Sequence, residues 1–160
     1  MTAWQLRRAT PDDIDAVMAI ETATFIEDAW SPATMRAELA DRNGYYLVAF
    51  PPGSPERIEA YAGLRAPRGA PQADIQTIAV LESARRNGLG RVLMQQLIAE
   101  ARDRGARELF LEVRADNPSA QALYGSLGFE QIAQRPNYYG PGHDAFVMRL
   151  TIPIPETRLA

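Results

Sequence analysis

The sequence predicts an α/β domain: one mixed sheet, built as a single layered domain, with helices on both of its faces. Three observations carry this. Strand-like and helix-like segments follow one another in the order β, α, α, β, β, β, α, β, α, β, β, an interleaving that a layered sheet requires. A strand-like run, Ile75–Val80, passes through a loop with two glycines into an amphipathic helix reaching from Leu89 to Arg104. The 160 residues, 46% hydrophobic and 23% charged, suit one domain able to bury a core without staples.

Trp4 to Arg8 alternates as a short strand. Thr10-Pro11-Asp12-Asp13 supplies an N-cap, a proline at the first helical position and an acid three residues past the cap. The helix it opens groups Ile14, Val17, Met18 and Phe25 near one face and is expected to leave Asp12, Asp15 and Glu21 in water. Ser31-Pro32 repeats the signal for a second helix striped by Met35 and Leu39, and the loop between, Glu27-Asp28-Ala29-Trp30, is expected to expose its tryptophan. Tyr45–Phe50 and Ile58–Leu64 read as strands joined around Pro51-Pro52-Gly53, and residues 66–73 as a second Pro/Gly connector. Gly105 ends the long helix, and Glu108–Arg114 is a strand. Asn117-Pro118 caps a short helix carrying Leu123 and Leu127 and closed by Gly128. Phe129–Ala133 and Asp144–Leu150 are the final strands, around a loop containing Asn137-Tyr138-Tyr139-Gly140-Pro141-Gly142. The domain is expected to span 1–150, with 151–160 a proline-containing tail.

Composition removes several classes of function. Without cysteine there is no thiol nucleophile, disulfide or cysteine metal site, and a single histidine, His143, rules out a histidine-rich metal centre, so no metal is expected. A formal charge of −3 argues against a general nucleic-acid binder. No signal-like run opens the chain and no segment has a membrane span's apolar length, so the expected location is cytoplasmic. Nothing in the pattern sets an oligomeric state, and a monomer is compatible with it.

Chemistry concentrates in Arg85-Arg86-Asn87-Gly88-Leu89-Gly90. A strand, a glycine loop and a helix start aim several backbone N–H groups at one place. The helix dipole adds partial positive charge there, and Arg85, Arg86 and Arg91 add full charges. A pyrophosphate cradle is one reading, and a tight turn with close helix–sheet packing is the other. No Gly-Lys-Ser/Thr follows, which removes a P-loop, and Leu93 stands where a dinucleotide fingerprint needs its third glycine.

Taken together, several segments resemble the GNAT acetyltransferase superfamily from Trp4 to Leu150, and within it the RimI-type ribosomal-protein-alanine N-acetyltransferases. These are Thr77-Ile78-Ala79-Val80, Arg85-x-x-Gly88-x-Gly90, Leu111-Glu112-Val113-Arg114-Ala115-Asp116-Asn117, Ala122-Leu123-Tyr124-Gly125-Ser126-Leu127-Gly128-Phe129 and Asn137-Tyr138-Tyr139. The resemblance implies the GNAT fold, with a mostly antiparallel, centrally splayed sheet, and acetyl-coenzyme A as co-substrate. It places pantetheine along Ile78, Ala79 and Val80 and against Asn117, with the diphosphate held by Arg86, Asn87, Gly88, Leu89, Gly90 and Arg91 and with Arg85 also at the cofactor. It implies Glu112 as general base and Tyr124, also at the cofactor, as the acid for the departing thiolate. Phe25, Trp30, Glu112, Tyr138 and Tyr139 would meet the acceptor, an N-terminal peptide of a ribosomal protein, the usual target being the N-terminal alanine of the eighteenth small-subunit protein.

The residues themselves leave alternatives. A strand glutamate is commonly solvated. Alternation puts Phe110, Glu112 and Arg114 on one face, and with helices expected over both faces Glu112 would need a specific role. Tyr124 would also serve as an ordinary core tyrosine with its hydroxyl at the rim. An α-amine, near pKa ~7.7–8.0, needs less help from a carboxylate than a lysine amine near ~10.4. A lysine or small-amine acceptor, or a module that only binds acetyl-coenzyme A, remain the rival functions.

Overall fold

The computed structural model describes residues 3–153. Seven strands form one sheet in the order β1-β2-β3-β4-β5-β7-β6. They are β1 Gln5–Arg8, β2 Gly44–Phe50, β3 Ala60–Arg65, β4 Gln72–Val80, β5 Glu108–Arg114, β6 Glu130–Arg135 and β7 Ala145–Thr151. The helices are α1 Ile14–Thr24, α2 Pro32–Ala40, α3 Leu89–Asp103 and α4 Pro118–Ser126. Every strand pair is antiparallel except β4–β5, so the expected element order and the mostly antiparallel sheet are both observed.

That parallel pair decides where a site can be. β4 and β5 pair only at Gln72↔Glu108, Ala73↔Leu109 and Asp74↔Phe110, although both strands continue well beyond. Just past this point β4 carries a bulge: Thr77 opposes Gly63 and Ile75 opposes Leu64, leaving Gln76 as the extra residue. A bulge bends its strand and strengthens its twist. β4 stays with β3 to Val80 while β5 stays with β7 to Arg114, and the sheet opens between Ile75–Val80 and Leu111–Arg114.

Two cores lie on opposite faces. On one, α3 buries Leu89, Leu93, Met94, Leu97 and Ala101, a helical stripe packed on Leu47, Ala62, Leu64, Ile75 and Leu109. On the other, α1 and α2 bury Val17, Ile20 and Met35 against Tyr46, Val48, Tyr61 and Ala79. Each such large apolar side chain contributes about 1.5–3 kcal/mol. Gly63 is needed where it stands, because a Cβ there would lie 2.2 Å from the Tyr46 ring, whose hydroxyl donates to Glu38 Oε2 at 2.9 Å. Arg104, buried at the end of α3, donates to Glu100 Oε2 (2.7 Å) and to the carbonyls of Asn43 and Ala66 (both 3.1 Å), so its charge is paired and sits at a helix C-terminus.

Local signals hold with adjustments. Thr10 forms the expected capping box, but with a 3-10 turn at Pro11–Asp13, and the α-helix proper starts at Ile14. Asp13 both caps the turn and takes a bidentate pair from Arg7, which holds its carboxyl below the usual aspartate range. Ser31 caps α2 and Asn117 caps α4 through their side chains, as read.

Three expectations fail. Glu21 is 2% exposed rather than in water: its carboxylate accepts the Tyr61 hydroxyl, and the turn of α1 that carries it faces the sheet. Trp30 is half-buried, packed beside the α1–α2 core rather than exposed. Glu112 is exposed rather than covered: among the described residues no helix packs extensively on β5. The expected tail, 151–160, falls largely outside the described residues; within them Thr151 still pairs with Glu108, and Ile152 is buried with its N–H on the Arg107 carbonyl at 2.7 Å.

Candidate active site

The glycine loop emerges from β4 at one lip of the opening. Gly88 takes φ 77° as the N-cap of α3, a left-handed conformation that glycine adopts without strain, and no atom lies within 4 Å of where its Cβ would stand. Arg86 also takes a positive φ, 67°. The first amide of α3 with a carbonyl partner is Val92, on Gly88 O at 3.1 Å. Among the described residues the amides of Arg86 to Arg91 have no acceptor, and all but Leu89 and Gly90 of these residues are exposed. A row of free N–H groups at the positive end of a 15-residue helix is an anion site by construction.

The side chains around it are not equally available. Arg85 folds back to donate from Nε to the Val80 carbonyl at 2.9 Å, so two residues expected to hold one ligand hold each other. Asn87 Nδ2 is spent on the carbonyls of Ala84 and Arg85, bracing the loop. Arg91 donates to Ser126 Oγ at 2.7 Å and ties α3 to α4, while Arg86 makes no side-chain hydrogen bond among the described residues and is exposed. Ile78 and Val80 are half-buried and Ala79 is buried, leaving mainly their backbone at the opening. Asn117 Oδ1 caps α4 on Ala120 N at 3.1 Å, with Nδ2 still free to donate.

Tyr124 lies on α4, 7% exposed, with its ring edge-on to Phe129 at 6.1 Å. Burial alone pushes its phenol up to about 12, so it carries its proton throughout the neutral range. Glu112 stands on β5 with Oε1 3.7 Å from Arg135 Nη1. Its charge helps hold the Tyr138 and Tyr139 phenols above their ordinary value, behind the larger effect of burial, so these three expected site residues share one neighbourhood. The two tyrosines pack edge-to-face at 4.9 Å, with Arg135 over one ring and Arg114 over the other.

A cleft of about 350 Å³ adjoins them, lined by Thr24, Phe25, Ile26, Glu27, Asp28, Arg114 and His143. Phe25 thus lines this cleft, whereas Trp30 supports the loop from behind through its amide, which donates to Glu21 Oε2 at 2.9 Å. Sequence reasoning missed the organiser of this cleft. Arg114 donates to both oxygens of Asp116, to Asp28 Oδ2 at 3.4 Å and to His143 Nδ1 at 3.0 Å, and covers Tyr139. It joins β5, the α1–α2 loop and the β6–β7 loop. The one available signal was its spacing two residues from Glu112, which puts both side chains on one strand face.

The acetyltransferase (GNAT) family matches residues 14–129. The chain belongs to the GNAT acetyltransferase family. It is 35% identical over 144 residues to the N-alpha-acetyltransferase RimI of Mycobacterium tuberculosis, covering 88% of this chain and 87% of that one. It is 49% identical over 84 residues to the ribosomal protein bS18-alanine N-acetyltransferase of Salmonella typhimurium, 51% of this chain and 57% of that enzyme. An uncharacterised Mycobacterium leprae protein is 38% identical over 144 residues, 88% of this chain but 38% of that longer protein, so the chain spans only part of some relatives. Among solved structures, the ribosomal-protein-S18-alanine N-acetyltransferase of Escherichia coli superposes with TM-score 0.84 at 31% identity over 99% of both chains. Arabidopsis thaliana NAA60, solved with acetyl-CoA, shares the fold at TM-score 0.82 and 16% identity, over 94% of this chain and 99% of that one. The GNAT fold and the RimI-type relationship expected from the sequence are thus both observed.

Proposed function

We propose that this GNAT domain transfers the acetyl group of acetyl-coenzyme A directly to the α-amine of a protein N-terminus, with the N-terminal alanine of the eighteenth small-subunit ribosomal protein as the foremost candidate acceptor. The observation that carries this reading is the sheet opening itself. It has free amides at one lip and an exposed carboxylate on the other lip beside an open cleft. The start of α3 is tied through Arg91 to α4, which carries a protonated phenol with no hydrogen-bond partner among the described residues. The names of the relatives support the same acceptor class.

The division of labour follows from the chemistry of each group. The amides and charge at Arg86–Arg91 hold the diphosphate, and the unpaired edge of Ile78–Val80 accepts the pantetheine as an added strand. Glu112, directly or through water, takes the proton of the incoming ammonium, and the freed amine forms the C–N bond as the C–S bond breaks. Tyr124 donates to the departing sulfur. A thiol near pKa ~8.5 is the stronger acid, so the phenol acts mainly by hydrogen bonding to the thiolate rather than by irreversible proton transfer. Phe25, Tyr138 and Tyr139 wall the acceptor channel. With no cysteine in the chain, direct attack needs no thiol acyl carrier.

The experiment is mass spectrometry of reactions between acetyl-coenzyme A and a library of short peptides with free or blocked α-amines. Acetylation at free N-termini, strongest on an alanine-initiated ribosomal sequence, is the expected result. Acetylation confined to lysine on blocked peptides, or cofactor binding with no transfer, would overturn it.

A further inference from the structure

We propose that Glu21 is a positioning residue that sets the shape of the acceptor side of the active site by clamping both ends of the Phe25–Trp30 loop. Glu21 lies at the last turn of α1, and nothing in the acetyl-transfer chemistry uses it. Its backbone carbonyl accepts the Phe25 N–H at 2.8 Å, where the loop begins. Its side chain accepts the Trp30 N–H on Oε2 at 2.9 Å, where the loop ends, and the Tyr61 hydroxyl on Oε1. One residue thus closes the loop from both sides. The segment between does not hold itself by burial, since Ile26 at its apex is 86% exposed. Its other ties are Asp28 to Arg114 at 3.4 Å and Glu27 to His143 at 4.0 Å.

The cost of the arrangement argues that it has a purpose beyond packing. Burying a carboxylate is expensive unless it is well hydrogen-bonded, and an apolar residue of similar size would fill the same space at less cost. Tyr61, fully buried, adds a second link. It opposes Ala79 on β4, so the clamp is fixed to the strand that borders the sheet opening. Tyr61, Glu21 and Trp30 form one hydrogen-bonded chain through an otherwise apolar core, from the strand beside β4 to the Phe25–Trp30 loop. This role rests on the proposed reading in which that loop receives the acceptor peptide.

The test compares Glu21→Met and Glu21→Gln in the full chain, reading hydrogen exchange of the Trp30 amide and the KM values of acetyl-coenzyme A and of an α-amine peptide. For Glu21→Met, Trp30 protection falls and the peptide KM rises by about tenfold each, roughly one hydrogen bond to a charged acceptor, while the acetyl-coenzyme A KM stays within about twofold. Glu21→Gln recovers most of both, because its amide oxygen still accepts from Trp30 and its NH₂ donates to the Tyr61 oxygen. Unchanged Trp30 protection in Glu21→Met, or the two KM values rising together, would overturn the clamp. So would turnover lost as fully in Glu21→Gln as in Glu21→Met, since that would mark the charge itself as essential. If Glu21→Met does not fold, Glu21→Leu with Tyr61→Phe replaces the buried polar pair by apolar groups and has the same expected readouts. Should the wild-type protein acetylate no peptide α-amine, the functional reading falls, while Trp30 exchange still decides whether Glu21 holds the loop.

Discussion

Strands β2 and β3 are buried along nearly their whole length between α1–α2 on one face and α3 on the other, whereas all six residues of β6 are exposed. The two halves meet at the β4–β5 opening. The first half is apolar on both faces, and the buried Glu21, Tyr61, Tyr46 and Arg104 within it are hydrogen-bonded, while Trp4 Nε1 is buried without a hydrogen-bond partner among the described residues. The second half has a core on one face only, so Glu112, Arg114 and Arg135 can carry charge on the other without a large desolvation penalty. Covering both faces makes a rigid support for the β4 edge at the opening. Leaving one face open supplies charged side chains beside the cleft, where the proposed acceptor would enter.

Substitutions test this contrast. Leu97→Ala, in the doubly covered half, is expected to cost about 3 kcal/mol in denaturant unfolding, from lost burial plus a cavity, with acetyl-coenzyme A affinity retained wherever the protein remains folded. Glu112→Gln, in the open half, is expected to leave stability within about 0.5 kcal/mol but to lower kcat/KM for α-amine peptides about a hundredfold. Raising the pH toward 9 should recover part of that loss, because an amine of pKa ~7.7–8.0 then enters mostly neutral. A Glu112→Gln protein with full activity would remove the open face from the chemistry. Tyr124→Phe is expected to reduce kcat about tenfold or somewhat more and to leave the peptide KM nearly unchanged, the signature of an interaction that matters at bond breaking.

A smaller effect belongs to the rim of the covered half. Asp13 has a carboxyl held low by Arg7, so its contribution is fully present above the unfolded value near ~3.9 and disappears as pH falls through the lower folded value. Asp13→Ala should therefore cost about 1–2 kcal/mol at pH 7, with the gap to wild type closing in acid; a gap independent of pH would assign the effect to packing. Smallest of all, Ile132→Ala on exposed β6 should change stability by less than about 0.5 kcal/mol.

The parts legible in the sequence were those decided by neighbours along the chain. Thr10, Ser31 and Asn117 cap because each stands before a proline or an acid at the right spacing, and Gly88 permits the left-handed step into α3. The strand alternation of Glu108–Arg114 correctly divided Leu109, Leu111 and Val113 from Glu112 and Arg114. What failed depended on distant partners. Glu21 reads as a polar surface position until Tyr61, 40 residues away, supplies a donor. Arg114 looks like one charge in a strand until two loops, carrying Asp28 and His143, fold onto it.

From the sequence alone came the order of elements, the free amides at the start of α3 and the placement of Glu112 on a polar strand face, because backbone geometry and side-chain period are local properties. Only the tertiary structure decided that β4 and β5 part after three paired positions, that Glu112 is left exposed, and that a buried carboxylate holds the end of the Phe25–Trp30 loop. Those outcomes are set by which surfaces compete for burial and which donors reach one acceptor, and neither is fixed until the whole chain is packed.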